Sequence, residues 1–581
     1  MVDHIVGHLA AIGVDHIFGV DGANIEDLYD AAHFRSEITA VLAKHEFGAA
    51  TMADGYSRGG AGLGVVAATS GGGCLNLVAG LGESLASRVP VLALVGQPPT
   101  GMDGRGSFQD TSGRNGSLNA AALFSTVSLS CERVLAPADI LVALRRAIRA
   151  ARQGGPAVLL LPKDIQQTSV DVNGHAEYCG TWHRWTPSAA LAGNLAPIVD
   201  ELRRANGPVT IIAGEQVARD DARAELERLR AVLDASVATV PDAKDVAGTA
   251  VVERSSVLGV TGVMGHPAVA DSVATSAVCL LVGTRLSVTA RSGLDDALAS
   301  VPTISIGSAL PYVCCTHVHT DDVRAALRFL SRTLRGREKP RRSPAAVSGR
   351  RTELTPPAFA GPGVRYRDVM AVLDSELPDG ADIVVDAGNT GASAVHYLPA
   401  RRGGRFTVAL GMGGMGYSFG AGIGLAFGRA NSGRPGGRTV VIAGDGAFFM
   451  HGMELHTALH YRLPITFVLL NNNAHAMCVT REQLFYDDQY SYNRFRPSRL
   501  GAGLATMFPG LSSVDVGDRD GLAAALRAAL DLDGPAVVSV ECAADEIPPF
   551  APFLTEVAAN DVANSHMTVA KENLTHVAAR A

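Results

Sequence analysis

Tryptophan occurs only twice in 581 residues, and aromatic residues make up 5%. Charge is sparse too: 18% of residues are Asp, Glu, Lys or Arg, and the formal net charge is −7. That balance lacks the basic footprint of a nucleic-acid-binding chain, so no nucleic acid is expected as a partner. The eight cysteines are spread from Cys74 to Cys542, and no pair has the spacing of a zinc site or a disulfide framework. Free thiols in a reducing cytoplasm are the plain reading. No apolar run reaches the ~18 residues of a membrane helix, so no membrane partner is expected. The opening MVDHIVGHLAAIGVDHIFGV has neither a basic start nor a cleavage site and does not read as a signal peptide. A cytoplasmic location is the expectation.

Hydrophobic residues make up 47%, and glycine is abundant at 64 positions. Short apolar runs alternate with helical patterns, the mark of α/β units with parallel sheets. One block holds HIFGV (16–20), ITAVLA (38–43), GVVAAT (64–69), PVLALVG (90–96) and PAVLLLP (156–162). A polar stretch follows at 166–190 and contains both Trp182 and Trp185. The second block runs from PVTIIAG (208–214) through VCLLVGT (278–284) to PTISIG (302–307). The basic, Pro-rich segment 336–363 reads as an exposed linker. The third block opens with a helix near Tyr366–Leu377 and holds DIVVDAG (382–388), TVVIAGDG (439–446), ITFVLLNN (465–472) and AVVSVEC (536–542). The expected division is 1–168, 190–335, the linker 336–363, 364–550 and a tail, 551–581. The first and third blocks look like one architectural idea used twice.

In parallel α/β sheets, ligands bind beyond the carboxyl ends of strands. Gly444-Asp445-Gly446 ends one predicted strand, and Asn471-Asn472 ends the next. If the strands are neighbours, the Asp445 carboxylate and the Asn472 carbonyl share a crevice. A few hard oxygen donors that leave room for phosphate oxygens suit Mg²⁺. The glycines let backbone approach a diphosphate, and the next helix offers its N-terminal N–H groups. Singly, DG is a turn and NN a loop cap; the pair at this spacing resembles the thiamine-diphosphate motif. In the first block, VLAKHEFGAATMADGYSR (41–58) reads strand then helix, with Glu46 at the junction.

HEFGAATMADGYSR, TSGGGCLN (69–76), PVLALVGQPP (90–99), SFQD (107–110), GPAVLLLPKDI (155–165), LGMGGMGYSFGAGIGLA (410–426) and GDG…NNN, in that order, resemble the acetolactate-synthase branch of thiamine-diphosphate enzymes. The resemblance covers nearly the whole chain. It implies three doubly wound α/β domains of parallel sheets: pyrimidine-binding, central and diphosphate-binding. It implies a homodimer or homotetramer with active sites between subunits, Glu46 from one and GDG…NN from the other. Glu46 is then the carboxylate at N1′ of the aminopyrimidine. It favours the imino form, whose nitrogen takes the C2 proton of the thiazolium. Asp445, Asn472 and the Ala474 carbonyl are the implied Mg²⁺ ligands. Gly444, Gly446, Ala447, Asn389 and Thr390 face the diphosphate. Gly413 accepts from the 4′-amino group, and Met415 wedges the cofactor into a bent shape. Gly72 and Gln109 line the pocket over C2, with Phe108 as its apolar wall. Gly22, Asn76, His475 and Met477 complete the implied site.

The departures from the branch concern the acceptor. Asp21 replaces a proline, and Asn24 lies beside it; Arg481 replaces a tryptophan, and Thr289 replaces an arginine, while Arg285 is kept. FAD is left open. GVTGVMGHPAV (259–269) resembles an FAD-contact strip, but Ser305 and Gly307 stand where acidic residues are usual. The glycines of GMGGMG have no preceding strand of the kind a dinucleotide fingerprint needs. The expected activity is decarboxylation of a 2-oxoacid donor, with pyruvate the default, and transfer of the acyl unit to a non-standard carbonyl acceptor. A 2-oxoacid decarboxylase without ligation is the rival enzyme; His451, His456, His460 and His475 are the histidines to weigh for it. A non-catalytic relative is the third reading, and the retained Glu46, Asp445 and Asn472 oppose it.

Overall fold

The computed structural model describes residues 1–171, 194–247, 258–336, 351–429, 431–433, 436–489 and 491–559. Trp182, Trp185 and most of the tail lie outside them. Three wholly parallel sheets carry the chain. The first contains β1 (His16–Val20), β2 (Thr39–Leu42), β3 (Gly64–Ala68), β4 (Val91–Gln97), β5 (Ser130–Arg133) and β6 (Pro156–Pro162), in the order β2-β1-β3-β4-β6-β5. The second contains β7 (Val209–Ala213), β8 (Ser236–Thr239), β9 (Val278–Val282), β10 (Thr303–Gly307) and β11 (Thr316–His319), in the order β11-β10-β9-β7-β8. The third contains β12 (Asp382–Val385), β13 (Phe406–Val408), β14 (Thr439–Gly444), β15 (Ile465–Asn471), β16 (Ser512–Val516) and β17 (Ala536–Glu541), in the order β13-β12-β14-β15-β17-β16. Counted from its own first strand, the third sheet repeats the order of the first. The doubly wound three-domain architecture is the one expected.

The strands read as apolar runs are the inner strands and β2. Those missing from the sequence reading, β5, β8, β11, β13 and β16, all lie at sheet edges. The cause is burial: β4 and β6 are buried at every position, whereas every residue of β5 is only half-buried. A strand covered on both faces must be apolar throughout, and an edge strand need not be. The end of the predicted linker is not loose. Leu354 N–H donates to His396 Nε2 (3.0 Å), and Ala268 N–H donates to Thr352 Oγ1 (3.0 Å). The tail begins packed, with Ala551 N–H on the Val263 carbonyl (2.8 Å) and Phe553 buried.

Six helices position the candidate site: α1 (Glu46–Arg58), α2 (Gly72–Ala86), α3 (Asn389–Tyr397), α4 (Tyr417–Gly428), α5 (Asp445–His451) and α6 (Ala476–Phe485). α1 and α4 pack along their lengths and join the first block to the third. Both are rich in small residues where they cross. A methyl group on Gly55 would land on the Ala421 carbonyl oxygen, and one on Gly424 on that of Met52. The two backbones therefore touch, an approach that only glycine allows. A buried charge network closes the contact. Asp54 accepts from Arg58 Nε (2.6 Å), Ser84 Oγ (2.7 Å) and the Tyr417 hydroxyl of α4. Glu83 accepts from Arg58 Nη2 (3.3 Å) and from Met412 N–H (2.6 Å). Burial alone would raise the Glu83 carboxyl, but Arg58 and the Met412 N–H together hold it below its ordinary value.

Gly55→Ala and Gly424→Ala should each destabilise the chain by about 1–3 kcal/mol or more, the usual cost of overpacking. Urea unfolding checks this. Midpoints equal to wild type would mean that the helices do not meet at these glycines.

Candidate active site

Sheet topology places the opening pair of motifs side by side. β14 and β15 are neighbours in register, with Gly444 opposite Leu470. The chain leaves β14 into α5 at Asp445 and leaves β15 at Asn472. Asp445 is fully buried. Its Oδ2 accepts from Ala474 N–H at 3.1 Å, and Asn472 Oδ1 accepts from the same N–H at 3.1 Å. Asp445 Oδ1 is buried and takes no hydrogen bond. Burial pushes the Asp445 carboxyl up to about 6, against the pull of nearby backbone N–H groups. An oxygen left bare inside a protein costs free energy unless something fills its place.

Around this point the other diphosphate-side candidates assemble. A methyl on Gly446 would meet His475 Cδ2 at 2.5 Å and Met415 Cε at 3.3 Å, so Gly446 sits between those side chains. Ala447 follows it, buried in the first turn of α5. The Thr390 hydroxyl lies 3.6 Å from where a Gly444 methyl would stand. Asn389 is buried, and its Oδ1 has no donor. Gly413 has φ +66° and open space around it. His475 packs edge-on against Phe495, and Met477 is partly buried against the core of the third sheet.

The first block supplies a second group at the carboxyl ends of β1, β2 and β3. Glu46 opens α1 and is 9% exposed. Its Oε2 accepts from Asn76 Nδ2 at 2.9 Å, and Gly73 leaves room for Oε1 at 3.0 Å. Asn76, read as a cofactor contact, is here the partner that orients Glu46. Gln109 sits in a left-handed conformation (φ +60°) and accepts from Thr69 Oγ1 (3.2 Å) and Ser70 Oγ (3.4 Å). Asn24 Nδ2 donates to Ser70 Oγ at 2.7 Å. Gly22 faces the Thr69 side chain, and Gly72 borders open space. Phe108, the expected apolar wall, is 76% exposed in the single chain. Among the described residues, no hydrogen bond joins the Glu46 group to the Asp445 group. Phe47, next to Glu46, stacks its ring on His451 with centroids 4.2 Å apart and lies 3.5 Å from where a Gly414 methyl would stand.

Two buried residues that sequence reading passed over hold these parts. Asp386 accepts from Gly416 N–H and Ser418 N–H, both at 3.0 Å, and so fixes the turn after Met415. Tyr366 Oη accepts from Asn472 Nδ2 at 3.1 Å. Both lie inside segments recognised as strand and helix, where nothing in the sequence separates them from ordinary core residues.

Comparison with known proteins agrees with this geometry. Residues 1–116, 195–309 and 386–540 match in turn the N-terminal TPP-binding, central and C-terminal TPP-binding domains of thiamine pyrophosphate enzymes. The chain belongs to the thiamine pyrophosphate enzyme family, in its acetolactate-synthase-like branch. It is similar to the probable acetolactate synthase large subunit of Methanocaldococcus jannaschii, with 28% identity over 84% of this chain and 82% of that protein. Acetolactate synthase 2, chloroplastic, of Nicotiana tabacum is 29% identical over 93% of this chain and 81% of its own length. Acetolactate synthase isozyme 2 large subunit of Escherichia coli is 27% identical, covering 96% and 97%. No helix among the described residues is long and apolar enough to cross a membrane.

The raised Asp445 carboxyl links this site to stability. Its contribution is complete below its ordinary value of 3.8 and is lost as pH rises through about 6. Asp445→Asn should therefore make the cofactor-free protein more stable at neutral pH, by roughly 1–3 kcal/mol, while abolishing cofactor binding. Paired urea titrations of wild type and variant, with and without thiamine diphosphate, read both effects. A less stable cofactor-free variant would refute the reading of Asp445 Oδ1 as unsatisfied.

Proposed function

We propose that this enzyme is a Mg²⁺-dependent carboligase. It decarboxylates a 2-oxoacid, pyruvate by default, and joins the acyl unit to a carbonyl acceptor other than a second pyruvate. The observation that carries the reading is the bare, buried Asp445 Oδ1, on a carboxylate whose other oxygen, Oδ2, shares the Ala474 N–H with the Asn472 side-chain carbonyl. These are hard donors, few in number, and they suit Mg²⁺ completed by phosphate oxygens. Among the described residues no three His, Cys, Asp or Glu side chains converge as a metal site. The Ala474 carbonyl is the third protein ligand in this reading.

When bound, thiamine diphosphate supplies a carbon nucleophile and an electron sink for decarboxylation. The residues do the rest. Glu46, held by Asn76, shares a proton with N1′ of the aminopyrimidine. Gly446 and Ala447 turn backbone N–H groups toward the diphosphate at the start of α5, with Thr390 and Asn389 beside them. Met415 and Gly413 shape the cofactor's middle. Gln109 has its oxygen engaged by Thr69 and Ser70, which leaves its amide hydrogens to point at substrate. Asp21, Thr289 and the exposed Arg481 support an acceptor different from that of the synthases. FAD is not part of the proposal. The cleft at the carboxyl ends of the central sheet, lined by Arg88, Arg219, Arg285 and Asp242, has a volume of about 260 Å³.

Subunit pairing completes the site in this proposal, as a homodimer or a pair of dimers. Phe108, Met412 and Phe449 are 76%, 64% and 53% exposed, and a second copy would cover them.

CO₂ release from a 2-oxoacid panel, with and without carbonyl acceptors and with product mass read out, tests the chemistry. A product weighing acceptor plus decarboxylated donor is expected. Free aldehyde alone would favour the decarboxylase, and acetolactate alone would overturn the unusual acceptor. Glu46→Gln should lower the rate by about 10²–10⁴-fold. Chelation of Mg²⁺ should abolish it, with metal affinity falling as pH drops below about 6, where Asp445 takes up a proton. Mixing inactive Glu46→Gln and Asp445→Asn chains should restore about a quarter of wild-type activity if each site draws on two subunits. No recovery after confirmed subunit exchange would place each site within one chain.

A further inference from the structure

The turn that delivers Glu46 is held by the opposite block. β2 ends at Leu42, and α1 begins at Glu46. Between them, the N–H groups of Lys44 and His45 point the same way. Both donate to a single atom, Glu454 Oε1, at 3.0 Å each. Glu454 lies just past α5, the helix that Asp445 opens, and is 1% exposed. Its other oxygen accepts from Thr457 Oγ1 at 2.9 Å. Gly48 in α1 makes the room: a methyl there would fall on the Glu454 carboxylate. Burial and charge thus bring a carboxylate from the third block onto two successive backbone donors of the first, a charge-assisted arrangement.

We propose that Glu454 is a positioning residue for Glu46. Its carboxylate clamps the Lys44–His45 turn and so sets where the first residue of α1 presents its side chain. The inference rests on Glu46 acting at the cofactor, as proposed above. What matters is the reach of the acceptor. A side chain one methylene shorter cannot touch both N–H groups, whereas an uncharged one of equal length can. A small misplacement of a reacting group can cost on the order of 10²-fold in rate.

The test measures deuterium exchange at the C2 proton of bound thiamine diphosphate, by quenching and NMR, in Mg²⁺-saturated enzyme. Amide exchange of the 42–47 segment is followed in the cofactor-free protein. Glu454→Asp and Glu454→Ala should slow C2 exchange by about 10–100-fold and deprotect the Lys44 and His45 amides, with KM for the 2-oxoacid little changed. Glu454→Gln should recover most of both. A purely structural need for charge would reverse the order, with Asp above Gln, and would overturn the proposal. So would Asp and Ala variants that exchange like wild type while Glu46→Gln is slow. If Glu46→Gln exchanges as fast as wild type, the cofactor role of Glu46 fails, and the positioning role falls with it. The Asp variant keeps the charge and most of the packing, so a folding defect in the Ala variant leaves the comparison intact.

Discussion

Everything else in this molecule depends on two helices that touch backbone to backbone. α1 carries Glu46 at its first residue, and α4 follows the loop that carries Gly413 and Met415. Their glycines let the carbonyls of one meet the Cα atoms of the other. Close approach strips water from whatever lies between them. Asp54, Arg58, Glu83 and Tyr417 survive that loss only because each is paired with another. Such networks add little net stability compared with an apolar core, but removing one partner is severe. Here the network also has a metrical role. It fixes α1 against α4, so the Glu46 end of one block keeps a set relation to the Met415 loop of the other.

Much of this was legible in the sequence, and the limits of legibility have a physical pattern. Inner strands announce themselves because both faces are buried, and their ends carried GDG and NN to adjacent positions. Edge strands such as THVH (316–319) and SSVDV (512–516) are mostly exposed or half-buried and look like ordinary loops. Glu46, Asp445 and Asn472 could be picked out because their spacing and neighbours form a pattern that core packing does not need. Asp386, Tyr366 and Glu454 could not. Their work is to hold backbone N–H groups and one amide, and the groups they hold lie dozens to hundreds of residues away. Such a partnership leaves no local trace. Asn76 is the intermediate case: visible as part of a motif, but with its partner, Glu46, evident only in three dimensions.

The first and third sheets share one strand order yet differ in chemistry. At the strand ends of the first lie Thr69, Ser70, Asn24 and Gln109, neutral groups that satisfy one another. At those of the third lies an acid kept short of a partner. A repeated scaffold thus offers two strand-end faces of different chemistry. The loops at the strand ends, not the sheets, carry that difference.

The bare oxygen of Asp445 has a consequence beyond chemistry. A protein that stores an unmet electrostatic demand in its core is more easily opened when its cofactor is scarce. Ligands that bind only the folded form stabilise it by mass action. In a cell, chains lacking the cofactor would open more often and be cleared sooner by proteases.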